Sequence, residues 1–252
     1  MGRIVFLGTA HSIADEYQNN THLLITEGER AVIVDCVGYP LLHIRRAGVD
    51  FNKITDLILT HFHPDHVSGV PLFLMDMWLL HRQLPLRIHG LSHTIERAQE
   101  TMKLYGWESW ANFYPVSFFQ VEEKPEAIII DDVDFRILSS PMKHLIPTSG
   151  LRMEFRQHGK AVAYSSNTEP CESMVNLAKN TDILIHEATG TEIGHSNPSQ
   201  AGMIAQKAEV GELYLIHYPP DADSLRIRLE ASQSFTGKVT LAKDQMEILV
   251  TK

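Results

Sequence analysis

The chain has 252 residues, 44% of them apolar and 21% charged, a composition that supports one sizeable core and excludes a disordered or fibrous protein. Its formal net charge of −9 disfavours casual nucleic-acid binding, which draws on a basic surface. No apolar run approaches the roughly 20 residues of a membrane span, and Cys36 and Cys171 build no disulfide framework, so a cytoplasmic setting is expected.

Residues 1–9 read as a first strand rather than a signal peptide, because Gly8 and Thr9 break the apolar run early. Residues 19–25 start a second strand and residues 31–35 a third. Residues 40–47 read as a short helix closed by Gly48. Residues 54–60 are apolar and β-like, and residues 67–83 predict a largely buried helix. Between these two lies His61-Phe62-His63-Pro64-Asp65-His66, three histidines and a carboxylate in six residues. A strand-to-helix loop lets side chains converge just outside a strand end. Alternation puts His61 and His63 toward one cavity, and Pro64 stops the strand. Neutral imidazoles beside a carboxylate suit Zn²⁺, Mn²⁺ or Fe, and a merely solvated polar loop does not account for four such residues in six.

Residues 86–90 read as a strand and residues 91–104 as a helix. His81, His89 and His93 have no ligand spacing and read as structural or exposed. Residues 105–119 hold Tyr105, Trp107, Trp110, Phe113, Tyr114, Phe118 and Phe119. Such a stretch serves as a loop packed on the core, a wall of a substrate pocket, or a dimer contact. Residues 127–130 and 135–138 look like paired strands, followed by Ser140-Pro141-Met142-Lys143-His144. Residues 160–164 lead into Ser165-Ser166-Asn167-Thr168. A buried strand over residues 181–189 ends in His186-Glu187-Ala188-Thr189, and a helix follows Gly194-His195-Ser196-Asn197-Pro198 through Ala208. Glu187 and His195 can form a carboxylate–imidazole unit, in which the carboxylate holds the tautomer and raises the basicity of the ring. Alternatively His195 caps the helix. A strand over residues 213–217 ends on His217, and a helix near 222–232 with strands near 239 and 246–250 completes the pattern.

The His61-Phe62-His63-Pro64-Asp65-His66 pattern resembles the metallo-β-lactamase fold superfamily. Phe6-Leu7-Gly8-Thr9, Asn20-Thr21-His22, Thr148-Ser149-Gly150-Leu151-Arg152 and His186-Glu187-Ala188-Thr189 resemble its ribonuclease Z-like branch. The likeness runs along nearly the whole chain. It implies an α/β fold in one domain over residues 1–252, an αββα four-layer sandwich of two mixed β-sheets flanked by helices, with the site at one edge between the sheets. It implies one metal on His61, His63 and His144 and a second on Asp65, His66 and His217, with Asp65, Glu187 and His195 as the catalytic candidates. Glu187–His195 would protonate the leaving oxygen. Asp35 falls where the family keeps a carboxylate that steadies the metal loop, although a turn or helix-capping residue reads the same way. His22 either lines the site or is a buried, hydrogen-bonded histidine.

One departure stands out. The family writes Ser-Asp-Thr, with an aspartate bridging two metals, where this chain has Ser166-Asn167-Thr168. An amide oxygen carries no charge to offset the repulsion between two cations, so the second ion should bind more weakly, and the site holds one or two ions. The tRNA-processing members insert a long arm between the third histidine and the bridging aspartate, whereas only a hairpin's length separates His144 from Asn167. With the acidic balance, this points away from tRNA toward a small phosphodiester, such as a cyclic nucleotide, an aryl or nucleotide diester, or a nucleic-acid end. The alternatives are hydrolysis of a lactone, β-lactam or sulfate ester, and a weakly active metal-binding or regulatory protein, which Asn167 motivates. Family members commonly form dimers, so the resemblance carries a homodimer as well.

Overall fold

In strand β1 (Gly2–Gly8) Val5 and Leu7 point to one face and Ile4 and Phe6 to the other, and all four are fully buried. A strand with two apolar faces must be covered on both. The structure, a computed structural model, describes residues 2–251, so Met1 of the expected opening strand lies outside the described residues.

β1 pairs antiparallel with β2 (His22–Glu27), and β2 with β3 (Arg30–Val34). Helix α1 (Pro40–Arg46) leads to β4 (Ile54–Ile58). Helices α2 (Pro64–Val67) and α3 (Val70–Leu79) follow, then β5 (Leu86–Leu91), α4 (Ser92–Leu104) and β6 (Val116–Val121). From β3 to β6 the strands run parallel. The second half repeats the plan. β7 (Ala127–Asp131), β8 (Phe135–Met142), β9 (Thr148–Phe155) and β10 (Lys160–Tyr164) are antiparallel neighbours. Parallel strands then follow through helices: α5 (Glu172–Ala178), β11 (Ile183–Glu187), α6 (Pro198–Lys207), β12 (Glu212–Ile216), α7 (Ser224–Ser232) and β13 (Lys238–Leu241). Finally β14 (Glu247–Val250) returns to pair with β1. The result is two seven-stranded mixed sheets, ordered β14-β1-β2-β3-β4-β5-β6 and β13-β12-β11-β10-β9-β8-β7.

Three apolar cores separate four layers. Ile44 of α1, Phe73 of α3 and Ile95 of α4 pack on Val5, Ile33 and Leu57 of the first sheet. Phe6, Ile25 and Val34 face Phe135, Tyr164 and Ile185 between the sheets. Met174 of α5, Ile204 of α6 and Ile227 of α7 cover Ala163, Leu184 and Leu213 on the far side. This is the αββα sandwich expected above. Among the described residues no helix is long and apolar enough to cross a membrane.

The local elements differ from the sequence reading at four places, the first being β6, an unread strand that takes up the end of the aromatic stretch. The helix expected over residues 67–83 begins earlier, with Pro64 at the first helical position, where its missing N–H costs nothing. It then breaks into α2 and α3 around Ser68 and Gly69 and ends at Leu79. The break is tertiary in origin: the Gly69 N–H donates to the Cys36 carbonyl at 2.9 Å, and a Cβ there would lie 2.8 Å from the Val37 carbonyl carbon. Helix α5 was not anticipated. The second strand starts at His22 rather than near Asn19. The aromatic stretch packs on the first outer core: Trp110 stacks on Trp78 of α3 at 5.1 Å, Trp107 meets Phe113 edge-on, and Tyr114 is buried.

The loops at the carboxyl ends of the parallel strands collect on one edge, the usual place for a site in α/β sheets. Three non-glycine residues there adopt left-handed backbone: Asp35 after β3 (φ 62°), Ser166 after β10 (φ 52°) and His217 after β12 (φ 54°). Each costs of order 1–3 kcal/mol, and packing above the strand ends holds them in place.

Candidate metal centre and acid pair

Asp35 is fully buried and organises the first loop. Its Oδ1 accepts the Thr60 N–H at 2.8 Å, its Oδ2 accepts His66 Nδ1–H at 2.7 Å, and both oxygens lie within 3.0 Å of Thr60 Oγ1. The cap of α1 is Tyr39, so Asp35 is not a helix cap. With its hydrogen given to Asp35, Thr60 Oγ1 is left to accept from His61 Nδ1 at 3.1 Å. One carboxylate thus fixes the tautomers of two histidines and leaves a lone pair on each Nε2.

His61, His63 and His144 converge from β4's loop and the segment after β8. His61 Nε2 lies 3.1 Å and His144 Nε2 lies 3.2 Å from His63 Nδ1. His144 gives its Nδ1–H to the Gly194 carbonyl at 2.7 Å, so its Nε2 also carries a lone pair. His63 Nδ1 has at most one hydrogen to share between two acceptors. Burial holds His61 well below the usual histidine range, and burial, with the neighbouring His195 and His63, pushes His144 down to about 4. These are neutral, ligand-ready imidazoles.

Asp65, His66 and His217 form a second group. Asp65 Oδ2 is 3.7 Å from His66 Nε2 and 3.6 Å from His217 Nε2, too far for hydrogen bonds. Thr189 Oγ1 donates to the His217 carbonyl at 2.9 Å and accepts from His217 Nδ1 at 2.7 Å, so that ring too presents a bare Nε2. The Nε2 atoms of His66 and His217 are buried and have no hydrogen-bond partner among the described residues. Burial opposes the charge on Asp65, but His217 and His66 draw its carboxyl well below the usual carboxylate range. In each group the three ligand atoms lie within 4.8 Å of one another. Converging buried lone pairs and a carboxylate are costly without a cation, so both groups fit a divalent ion.

Asn167 lies on the loop after β10 and is 1% exposed. Its Oδ1 is buried with no hydrogen-bond partner among the described residues. A neutral oxygen therefore faces a region with no donor, as a weak ligand would.

Glu187 and His195 are paired. His195 Nδ1 donates to Glu187 Oε1 at 3.0 Å, and the carboxylate also accepts the N–H groups of Thr168 at 2.9 Å and Thr189 at 3.1 Å. Burial disfavours the His195 cation, yet Glu187 overcomes it and raises the affinity of the ring for a proton. The His195 ring lies 5.0 Å from His144 and stacks 5.8 Å from His217, so the pair borders both groups. His195 does not cap α6: Asn197 does, in a reciprocal capping box with Gln200.

His22 is buried, donates Nδ1–H to the Asn20 carbonyl at 2.8 Å, and meets His43 edge-on, the second of its two expected settings. His89 is bonded to buried Asp56 at 2.8 Å. The sequence reading passed over His11, whose ring lies 6.5 Å from that of His217. No motif surrounds it, and only the folding of the β1–β2 loop brings it there.

Solved structures share this fold. The metallo-β-lactamase fold protein YhfI of Bacillus subtilis superposes with a TM-score of 0.85 at 23% identity, covering 98% of each chain. The short form of human tRNase Z gives 0.80 at 22% identity, covering 99% of this chain and all of that one. Among curated sequences, the ribonuclease Z of Methanothermobacter thermautotrophicus is 25% identical over 305 residues, covering 99% of this chain and 97% of its own. Fold and site together define a metal-dependent hydrolase of the metallo-β-lactamase superfamily, in its ribonuclease Z-like branch. Within that class, the family model for "Anti-Pycsar protein Apyc1" matches residues 2–244, and the chain belongs to this family.

Proposed function

We propose that this protein is a phosphodiesterase that hydrolyses a small phosphodiester, with a cyclic nucleotide as the leading class. The observation that carries the reading is the Glu187–His195 pair, whose imidazole lies near both His144 and His217. A leaving alkoxide needs a proton, and this pair is built to hold one. Glu187 fixes His195 Nδ1–H, so the proton to be delivered would sit on Nε2. Thr168 and Thr189 fix Glu187 in turn.

His61, His63 and His144 would hold one ion, and Asp65, His66 and His217 a second, with Asn167 as a neutral neighbour. Nitrogen-rich sites of this kind suit Zn²⁺, with Mn²⁺ or Fe as alternatives. A divalent ion there supplies Lewis acidity and lowers the pKa of water toward about 7. Asp35, Thr60, Thr189 and Gly194 keep the ligand rings in register. Small size of the substrate is supported by the segment between His144 and Asn167, which consists of the β9–β10 hairpin and its connections, and by the net charge of −9. Asn167 favours a second reading, a single-ion protein of low activity that binds rather than turns over its ligand.

The test is hydrolysis of bis(p-nitrophenyl) phosphate and of 3′,5′-cyclic nucleotides with added Zn²⁺ or Mn²⁺. Turnover that chelation abolishes is expected. Inert phosphodiesters alongside turnover of a lactone, β-lactam or sulfate ester would replace this reading, and binding without turnover would favour the second.

A further inference from the structure

Three imidazoles lie near His217, of which His66, stacked at 5.4 Å, shares its candidate ligand group. His195 stacks on His217 at 5.8 Å, and His11 lies at 6.5 Å, tilted by 58°. The rings of His195 and His11 are tied at Nδ1 in opposite ways. His195 donates from Nδ1 to a carboxylate, whereas His11 Nδ1 accepts the backbone N–H of Ile13 at 3.0 Å. A backbone amide can only donate, so His11 Nδ1 carries the lone pair and Nε2 carries the hydrogen. Nothing among the described residues takes that hydrogen, and the side chain is half-buried rather than exposed.

The ring is not loosely placed. The His11 N–H donates to the Tyr218 carbonyl at 3.2 Å, and the His11 carbonyl accepts Asn20 Nδ2–H at 2.7 Å. Ala10, one residue before, bridges both Asn20 and Tyr218. The backbone of His11 is therefore pinned to the segment that carries His217, and the loop beyond it, from Ser12 to Tyr17, is exposed. His11 belongs to neither ligand group, whose atoms converge without it.

We propose that His11 is a substrate-binding residue, whose Nε2–H donates to a phosphoryl oxygen of the bound phosphodiester. The assignment rests on the phosphodiesterase reading above. Its role differs from that of His195: a ring held by an amide donor stays a neutral hydrogen-bond donor, while a ring held by a carboxylate exchanges a proton. A neutral donor suits the place, because Asp65 already supplies negative charge beside His217 and an anionic substrate needs a donor there rather than another acceptor.

Two variants separate the donor from the loop. His11→Asn keeps an acceptor for the Ile13 N–H and loses the donor at the Nε2 position; His11→Gln keeps a donor there. The first readout is calorimetric binding of inorganic phosphate to the zinc-loaded protein, and the second is KM for bis(p-nitrophenyl) phosphate. His11→Asn is expected to weaken phosphate binding and raise KM by about tenfold, as the loss of one hydrogen bond to an anion does, with metal content and Tm unchanged. His11→Gln should recover most of both. Wild-type phosphate affinity in His11→Asn, equal weakness in His11→Gln, or loss of metal from either variant overturns the assignment. A wild-type protein that binds phosphate through His11 but cleaves no phosphodiester would instead overturn the proposed function and leave the contact standing.

Discussion

Gly194 and His144 stand fifty residues apart in sequence and are joined at 2.7 Å, carbonyl oxygen to Nδ1. The glycine is required twice over. Its φ of +86° is a region that side chains avoid, and a Cβ would fall 2.8 Å from His144 Nδ1. The Gly194 N–H is itself held by Glu169 Oε1 at 3.1 Å. Gly194→Ala should therefore displace the His144 ring. We expect metal affinity at the His61–His63–His144 group to fall by about 10- to 100-fold, the usual cost of losing a partner behind a ligand. Metal titration of the folded variant checks it; unchanged affinity would mean that His144 does not depend on this contact.

Asp35 holds three donors at once. In Asp35→Ala the Thr60 N–H and His66 Nδ1–H lose their buried acceptor, each at about 1–3 kcal/mol. Denaturant unfolding should show this loss in the metal-free protein, and elemental analysis should show lower metal content at both groups, since Asp35 orients His66 directly and His61 through Thr60. A variant as stable and as metal-rich as the wild type would remove Asp35 from this role.

Asn167→Asp adds one negative charge at nearly constant shape. If Asn167 adjoins both ions, occupancy of the second ion and the phosphodiesterase rate should rise together, each tenfold gain in rate corresponding to about 1.4 kcal/mol of barrier. Without metal the same variant should be less stable, because the new carboxylate is buried with no counter-ion. Metal titration and rates on the same samples decide it. No gain in either would show that Asn167 does not bridge.

His22 gives a pH signature. Burial pushes it down to about 3, so it is neutral in the native state, while the unfolded chain protonates it near 6.5. Between about pH 6.5 and 3 the unfolded state binds more protons than the native state, so this group makes stability fall as pH falls, by up to about 1.4 kcal/mol per pH unit. His22→Asn keeps a donor for the Asn20 carbonyl and removes the titration. Chelator-treated wild type and variant should therefore diverge as the pH drops, with the variant losing less stability. Parallel curves would place the acid sensitivity in other buried histidines.

Much of this was legible in one dimension because the chemistry is clustered there. His61, His63, Asp65 and His66 are neighbours in sequence, and their density alone points to a metal. Apolar runs marked most of the strands, while their arrangement in two mixed sheets came from the family resemblance. What could not be read depends on contacts across the fold. The apolar run from Val67 hides the break at Gly69, since the Cys36 and Val37 backbone that forces it comes from another loop. Helix α5 has seven residues, too few for its period to emerge. The aromatic stretch has a composition but no period, and its role became visible only when Trp110 met Trp78. His11 sits in no motif because its use depends on Tyr218 and His217, two hundred residues away.

The pairing of β1 with β14 has a consequence for synthesis. Arg3 aligns with Leu249, and Asp244, just before β14, binds Thr9 Oγ1–H and both nitrogens of Asn19. Every histidine and carboxylate of the site has therefore left the ribosome before the segment that closes the first sheet and clamps the loop carrying His11. A contact of such sequence separation forms late and slowly, so β1 keeps an unpaired edge until residues 247–250 have emerged. A nascent chain exposed as far as residue 240 would hold all the ligands yet lack the finished site, and its open edge would be the place for a chaperone or for aggregation to act.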